Sequence, residues 1–207
     1  MTAKLYYVHD PMCSWCYAFR SSLTRLLEDL PKEIEVIRLL GGLARDSEEP
    51  MPEETRAYVI DNWKRIEQYV PDTKFNYDFW QQCKPRRSTW LACRAVIAAR
   101  NQGSEFDLAM THAIQDAYYQ QARNPSDIST LIELAQELGL DKNRFSEDLK
   151  SPETDETLQQ EIKQSRILGL NNFPSLLFVD GDKLIRIGPD YFNSENMLQM
   201  INTPKKF

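Results

Sequence analysis

A Cys13-Ser14-Trp15-Cys16 quartet stands between a short apolar run and a helical pattern, and that placement constrains the chain more than any other feature. Lys4-Leu5-Tyr6-Tyr7-Val8 reads as a short buried strand and Asp10-Pro11 as a turn. From Ser14 onward, Tyr17, Phe19, Leu23, Leu26, Leu27 and Leu30 recur at helical period. Two cysteines so spaced share the first turn of one helix. There the first sulfur meets unpaired backbone N–H groups and the positive end of the helix dipole, and both favour thiolate. The second is near enough to attack a mixed disulfide formed on the first. Such a pair gives or takes two electrons as a disulfide. Strand, turn, CxxC and helix together predict a redox-active dithiol.

Two blander readings compete. A zinc site needs about four ligands, usually from a second CxxC or a Cys/His pair. His9 with Cys13 and Cys16 offers three, and His112, Cys83 and Cys93 form no second paired motif. The expectation is therefore no metal. A static disulfide between adjacent-turn cysteines would close a tiny loop and constrain the unfolded chain little.

The 207 residues allow one large domain or two small ones. The net charge of −6 and the lack of a basic block beyond Lys205-Lys206 argue against nucleic acid. No apolar run approaches a membrane span. Met1-Thr2-Ala3-Lys4 leads straight into the first strand without a signal-peptide core, which predicts a cytoplasmic chain. Stable disulfides are rare there, so a working CxxC is favoured over a static one.

Residues 35–40 read as a second strand, ended by Gly41-Gly42. Strand signals then vanish. Helices are predicted over 51–69, 87–101, 105–121, 126–138, 143–149 and 153–168. Residues 175–179 and 183–187 flank Asp180-Gly181-Asp182, a strong hairpin signal. A closing helix spans 194–201, with Ser194 as N-cap. The order is β-α-β, a helical block, then β-β-α. This predicts an α/β fold in which residues 1–44 and 166–207 complete one mixed sheet and residues 45–165 form an all-helical insertion.

The arrangement resembles the thioredoxin-like DsbA family over nearly the whole chain. The resemblance is carried by Asp10-Pro11-Met12-Cys13-Ser14-Trp15-Cys16-Tyr17, by Leu168-Gly169-Leu170-Asn171-Asn172-Phe173-Pro174-Ser175, and by the helix around Arg94-Ala95-Val96 and Ala98-Ala99-Arg100. The most similar subgroup is the cytoplasmic FrnE-like oxidoreductases, with hydroxychromene-carboxylate isomerase and kappa-class glutathione transferase relatives. The resemblance implies a cis Phe173–Pro174 bond facing the CxxC. A proline at a strand start lacks an N–H, so the Phe173 backbone could pair with an extended substrate peptide. One departure stands out. The family often buries a carboxylate six residues before the first cysteine, and here that residue is Tyr7. If Cys16 needs a proton acceptor, His9 at the strand end is a candidate relay, because imidazole titrates in the useful range. The alternative for His9 is a turn residue bonded to backbone.

Trp15, held between the two cysteines, is expected to offer a platform for an apolar peptide, or else to pack on the insertion. Cys93 falls among Leu91, Ala92, Val96 and Ile97 and reads as a small core residue. Cys83, beside Lys84 and Arg86-Arg87, could be more reactive. Three functions follow. The first is a thiol–disulfide oxidoreductase with Cys13 as nucleophile and Cys16 as resolving thiol, acting on disulfide- or thiol-containing proteins or peptides, with no cofactor beyond glutathione as a co-substrate. The second is a glutathione-dependent isomerase or transferase on the same scaffold. The third is a non-catalytic, redox-sensing adaptor.

Overall fold

The computed structural model describes residues 2–202, so the Lys205-Lys206 pair lies outside the described residues. The strands are β1 (Lys4–His9), β2 (Glu35–Leu40), β3 (Ser175–Asp180) and β4 (Lys183–Ile187), in the spatial order β2-β1-β3-β4. β1 and β2 run parallel, with Lys4 opposite Glu35 and His9 opposite Leu40. A parallel pair needs a crossover, and helix α1 (Ser14–Asp29) supplies it. β3 runs antiparallel to both β1 and β4. Gly181, at φ 56°, gives the β3–β4 turn the left-handed backbone that a two-residue hairpin requires.

Between β2 and β3 the described elements are all helical: α2 (Glu53–Tyr69), α3 (Phe79–Gln82), α4 (Trp90–Arg100), α5 (Phe106–Tyr119), α6 (Ile128–Glu137), α7 (Lys142–Asp148) and α8 (Pro152–Ile167). Helix α9 (Ser194–Asn202) closes the chain. The single turn α3 has no signature in the sequence pattern, because four residues are too few to show a period. The boundary expected after residue 165 falls inside the last turn of α8. That helix packs on both β2 and α4.

One sheet face is covered by α1 and α9 around Leu5, Tyr7, Phe19, Leu26, Leu176 and Phe178. The other holds Val8, Leu39 and Leu177 against Leu170, just beyond α8. A separate aromatic core in the insertion centres on fully buried Trp63, whose ring stacks on Phe75 at 4.8 Å. Charges bind the insertion to the β2 edge. The Asp107 carboxylate pairs with Arg38 at 2.6 Å and Arg100 at 3.5 Å, and Arg100 reaches Glu161 at 2.5 Å. Glu161 also accepts the Leu40 N–H at 2.7 Å. Buried charges are tolerated when each is met by a partner in this way.

Candidate active site

The turn after β1 aims the first cysteine. Cys13 is the N-cap of α1, with extended backbone and no side-chain cap of its own. Its N–H bonds to the Asp10 carbonyl at 3.0 Å, and its carbonyl takes the Tyr17 N–H at 3.0 Å. The Cys13 sulfur thus stands at the open end of the helix. Cys16, one turn on, is almost fully buried at 1% exposure. Neither is disulfide-bonded. Burial pushes the Cys16 thiol well up, and a hydrogen bond that it donates to Cys13 pushes it the same way.

The loop before β3 closes over this turn. The Phe173–Pro174 bond is cis. Cys13 Sγ lies 3.7 Å from the Phe173 carbonyl oxygen. The Phe173 ring packs closely on Gly41, where an added Cβ would lie 2.1 Å from two ring carbons. Only a glycine at the end of β2 lets that ring, and with it the loop, come so close.

Residues 6–187 match a protein-family model described as Thioredoxin. The chain belongs to this thioredoxin family. A suggested protein disulfide isomerase from Nitrosomonas europaea superposes with a TM-score of 0.84 at 24% identity, covering 98% of this chain and 97% of that one. The cytosolic disulfide reductase DsbM of Pseudomonas aeruginosa superposes at 0.74 with 23% identity, covering 96% and 92%. These likenesses establish a shared fold of DsbA type. Among curated proteins, the ClpXP adapter protein SpxH of Bacillus subtilis is 23% identical over 176 residues, 84% of this chain. The match covers 58% of that relative's own length.

Beneath the thioredoxin-family CxxC lies a floor of uncharged groups. The Tyr7 hydroxyl donates to Cys16, and burial together with the two sulfurs holds the phenol well above its usual range. His9 stacks parallel on the Tyr7 ring at 4.9 Å. Neither His9 nitrogen has a hydrogen-bond partner among the described residues. Burial lowers its pKa to about 4, so the imidazole is neutral at pH 7. The expected relay role therefore has no hydrogen-bonded path to Cys16, and the expected backbone bond is absent from the side chain too.

Asp10 is the residue that sequence reasoning undervalued. It is fully buried. One carboxylate oxygen accepts the Met12 N–H at 2.8 Å. The other accepts the Leu43 N–H at 2.7 Å, the Thr89 hydroxyl at 2.7 Å and the Cys93 thiol at 3.5 Å. Burial nevertheless raises its pKa, against the lowering effect of these donors. Asp10 thereby ties the CxxC turn to the loop after β2 and to the start of α4. The clue was present: an Asp two residues before an N–H in a turn forms an Asx turn.

Trp15 is half-buried. Its indole N–H donates to Asn62 at 3.2 Å, and its ring meets Tyr69 and Tyr191 edge-on at 6.0 and 5.5 Å. It both packs on the insertion and forms part of an aromatic surface. Cys83 corrects the expectation of reactivity. Its thiol donates to the Ala122 carbonyl at 3.0 Å, and burial and Asp127 raise its pKa. The neighbouring cationic side chains do not prevail. Cys93 is fully buried, as its apolar neighbours predict. A cleft of about 260 Å³ opens beside Cys13, between the cis-proline loop, α2 and the start of α4. Among the described residues, no group of three or more His, Cys, Asp or Glu could hold a metal ion. No described helix is long and apolar enough to cross a membrane.

Proposed function

We propose that this protein is a thiol–disulfide oxidoreductase in which Cys13 is the nucleophile and Cys16 the resolving thiol. The observation that carries the reading is the position of Cys13 Sγ, at the N-cap of α1 and 3.7 Å from the Phe173 carbonyl, with the Cys16 thiol buried against it. The Cys13 thiolate attacks one sulfur of a substrate disulfide. A Cys13–substrate bond forms and the other substrate thiolate leaves, taking a proton from solvent. Cys16 then loses its proton and attacks Cys13 Sγ, and the second substrate thiol departs. The protein is left as the Cys13–Cys16 disulfide, and two electrons have passed to the substrate. Two thiols of a glutathione-type reductant restore the dithiol. Phe173 and Pro174 shape the edge against which an extended peptide lies, and Trp15 supports its apolar side chains. The substrates are disulfides of proteins and peptides, including their mixed disulfides with glutathione, and glutathione is the reducing thiol. The DsbM structure solved with GSH and the cytosolic setting of DsbM support both the ligand class and a cytoplasmic site of action. Retention of both cysteines weighs against the isomerase reading.

The decisive experiment is trapping. Cys16→Ser should accumulate mixed disulfides through Cys13, and the wild type should reduce insulin with multiple turnovers. Equal trapping by Cys13→Ser would reverse the roles. A second reading, a redox-sensing adaptor, draws support from the SpxH likeness and from the aromatic surface, where Tyr69 and Phe192 are each 55% exposed beside Trp15. Stoichiometric oxidation without turnover would favour it.

A further inference from the structure

We infer that Arg87 makes the cleft beside Cys13 selective for substrates that carry a carboxylate next to the reacting disulfide. The inference rests on the oxidoreductase reading and names the substrate charge that this site prefers. The chain has 31 acidic and 25 basic residues, yet no residue lining this cleft is Asp or Glu. Its charged wall is Arg86 and Arg87. Arg86 is committed elsewhere. It pairs with Asp127 at 2.5 Å, donates to the Ser126 carbonyl and lies 4.0 Å from Glu48. The Asn62 amide is also spent, donating to Ser14 at 3.0 Å and accepting from Trp15 at 3.2 Å. Arg87 is exposed and has neither an ion pair nor a hydrogen bond among the described residues.

A guanidinium without a partner, in a concave wall that also holds the nucleophile, leaves its charge for what enters. Its planar fork matches a carboxylate. At about 260 Å³ the cleft lies just below the roughly 300 Å³ at which ordinary ligand clefts begin, so it takes the part of a substrate next to the disulfide rather than a whole large compound. A cationic or neutral disulfide of the same size would gain nothing from Arg87. The bland alternative is a solvated surface arginine whose field never reaches Cys13.

The two are separated by alkylating Cys13 in the reduced protein with iodoacetate and with iodoacetamide, reagents of near-equal size and different charge. Their rate ratio cancels accessibility and thiolate fraction. Arg87→Ala should lower the iodoacetate-to-iodoacetamide ratio by about 3-fold and Arg87→Glu by about 10-fold, with Arg87→Lys close to wild type, as expected for an exposed charge. The effect should shrink in 0.5 M salt, where screening is strong. Arg144→Ala, on α7 and outside the cleft, is the control. A ratio unchanged in Arg87→Glu overturns the inference. In a turnover arm with dithiothreitol as the reductant, which closes to its own cyclic disulfide, Arg87→Ala should lose activity above the uncatalysed rate on oxidised glutathione while retaining it on cystamine and hydroxyethyl disulfide. Equal loss on all three overturns the charge selection. No turnover by the wild type on any of them, with the alkylation ratio still dependent on Arg87, overturns the oxidoreductase reading instead.

Discussion

Removing Asp10 tests whether the CxxC turn is held by this carboxylate rather than by the chain around it. Asp10→Ala strips the acceptor from four donors: the Met12 and Leu43 N–H groups, the Thr89 hydroxyl and the Cys93 thiol. Their losses are unequal. Thr89 already lies 3.3 Å from the Ala44 carbonyl and can turn to it. A thiol is a weak donor. The two backbone N–H groups have no such fallback, and leaving each unsatisfied costs about 1–3 kcal/mol. Against this stands the desolvation that raises the Asp10 pKa, a cost that the variant no longer bears. The expected net loss is about 2–4 kcal/mol. Asp10→Asn is the informative partner. Its amide oxygen can take the position that serves Leu43, Thr89 and Cys93, and its NH₂ then opposes only Met12. The expected loss is about 1–2 kcal/mol, from one orphaned donor. Urea unfolding of the reduced proteins at pH 7 gives both values. If Asp10→Ala lies within 0.5 kcal/mol of wild type, the anchor has been misjudged. If Asn is as damaging as Ala, charge rather than acceptor count decides, and the donor argument fails.

Other predictions use the same unfolding and turnover measurements. His9 titrates at about 4 in the fold and near 6.5 when unfolded, so its contribution is complete above pH 6.5 and lost as pH falls toward 4. His9 alone should account for about 3 kcal/mol of the wild-type loss across that window, and the less buried His112, also lowered to about 4, adds a smaller part. In His9→Phe the slope should be shallower, with the His112 part remaining, and an unchanged slope would assign the whole acid sensitivity to His112 and other groups. Gly41→Ala should displace the Phe173 ring, cost about 1–3 kcal/mol as an overpacking change, and slow disulfide exchange more than it lowers stability would explain. Full activity in that variant would separate the Phe173 position from the reaction. Tyr7→Phe removes the donor to Cys16 and should slow resolution of a Cys13 mixed disulfide by about 3–10-fold, in keeping with the worth of one charge-assisted hydrogen bond. Pre-steady-state release of a trapped thiol reports it, and an unchanged rate would leave the hydroxyl without a role.

The sheet and the site were legible to very different depths. Alternating and continuous apolar runs, an Asp-Gly turn and a CxxC at a helix start are local signals, and β1 to β4 and α1 follow them closely. The long helices of the insertion were readable for the same reason. What the sequence concealed lies in contacts between distant segments. Nothing near Asp10 says that Thr89 and Cys93, some eighty residues on, will donate to it. Nothing near Arg38 announces Asp107. Cys83 shows the converse. Its flanking cations suggested activation, but a carbonyl from Ala122 and the charge of Asp127 set its environment. Sequence neighbours of a thiol are a poor guide to its field when the chain folds other groups against it.

The buried side of the dithiol has a consequence for how the insertion contributes. Tyr7 is held in its neutral phenol form and His9 is a neutral imidazole. A charged acid beneath Cys16 would tie the resolving step to its own titration. Here the group touching Cys16 is a hydroxyl that stays protonated throughout the working pH range, so it can stabilise a Cys16 thiolate but cannot carry its proton away. The cleft wall that contains Arg86 and Arg87 comes from the segment leading into α4, and Asp10 fastens the same segment to the CxxC turn through Thr89. The insertion is therefore more than a cover. It supplies the positive wall on one side of Cys13 while the thioredoxin-like sheet supplies a neutral floor on the other, and the Asp10–Thr89 bond holds the two in register.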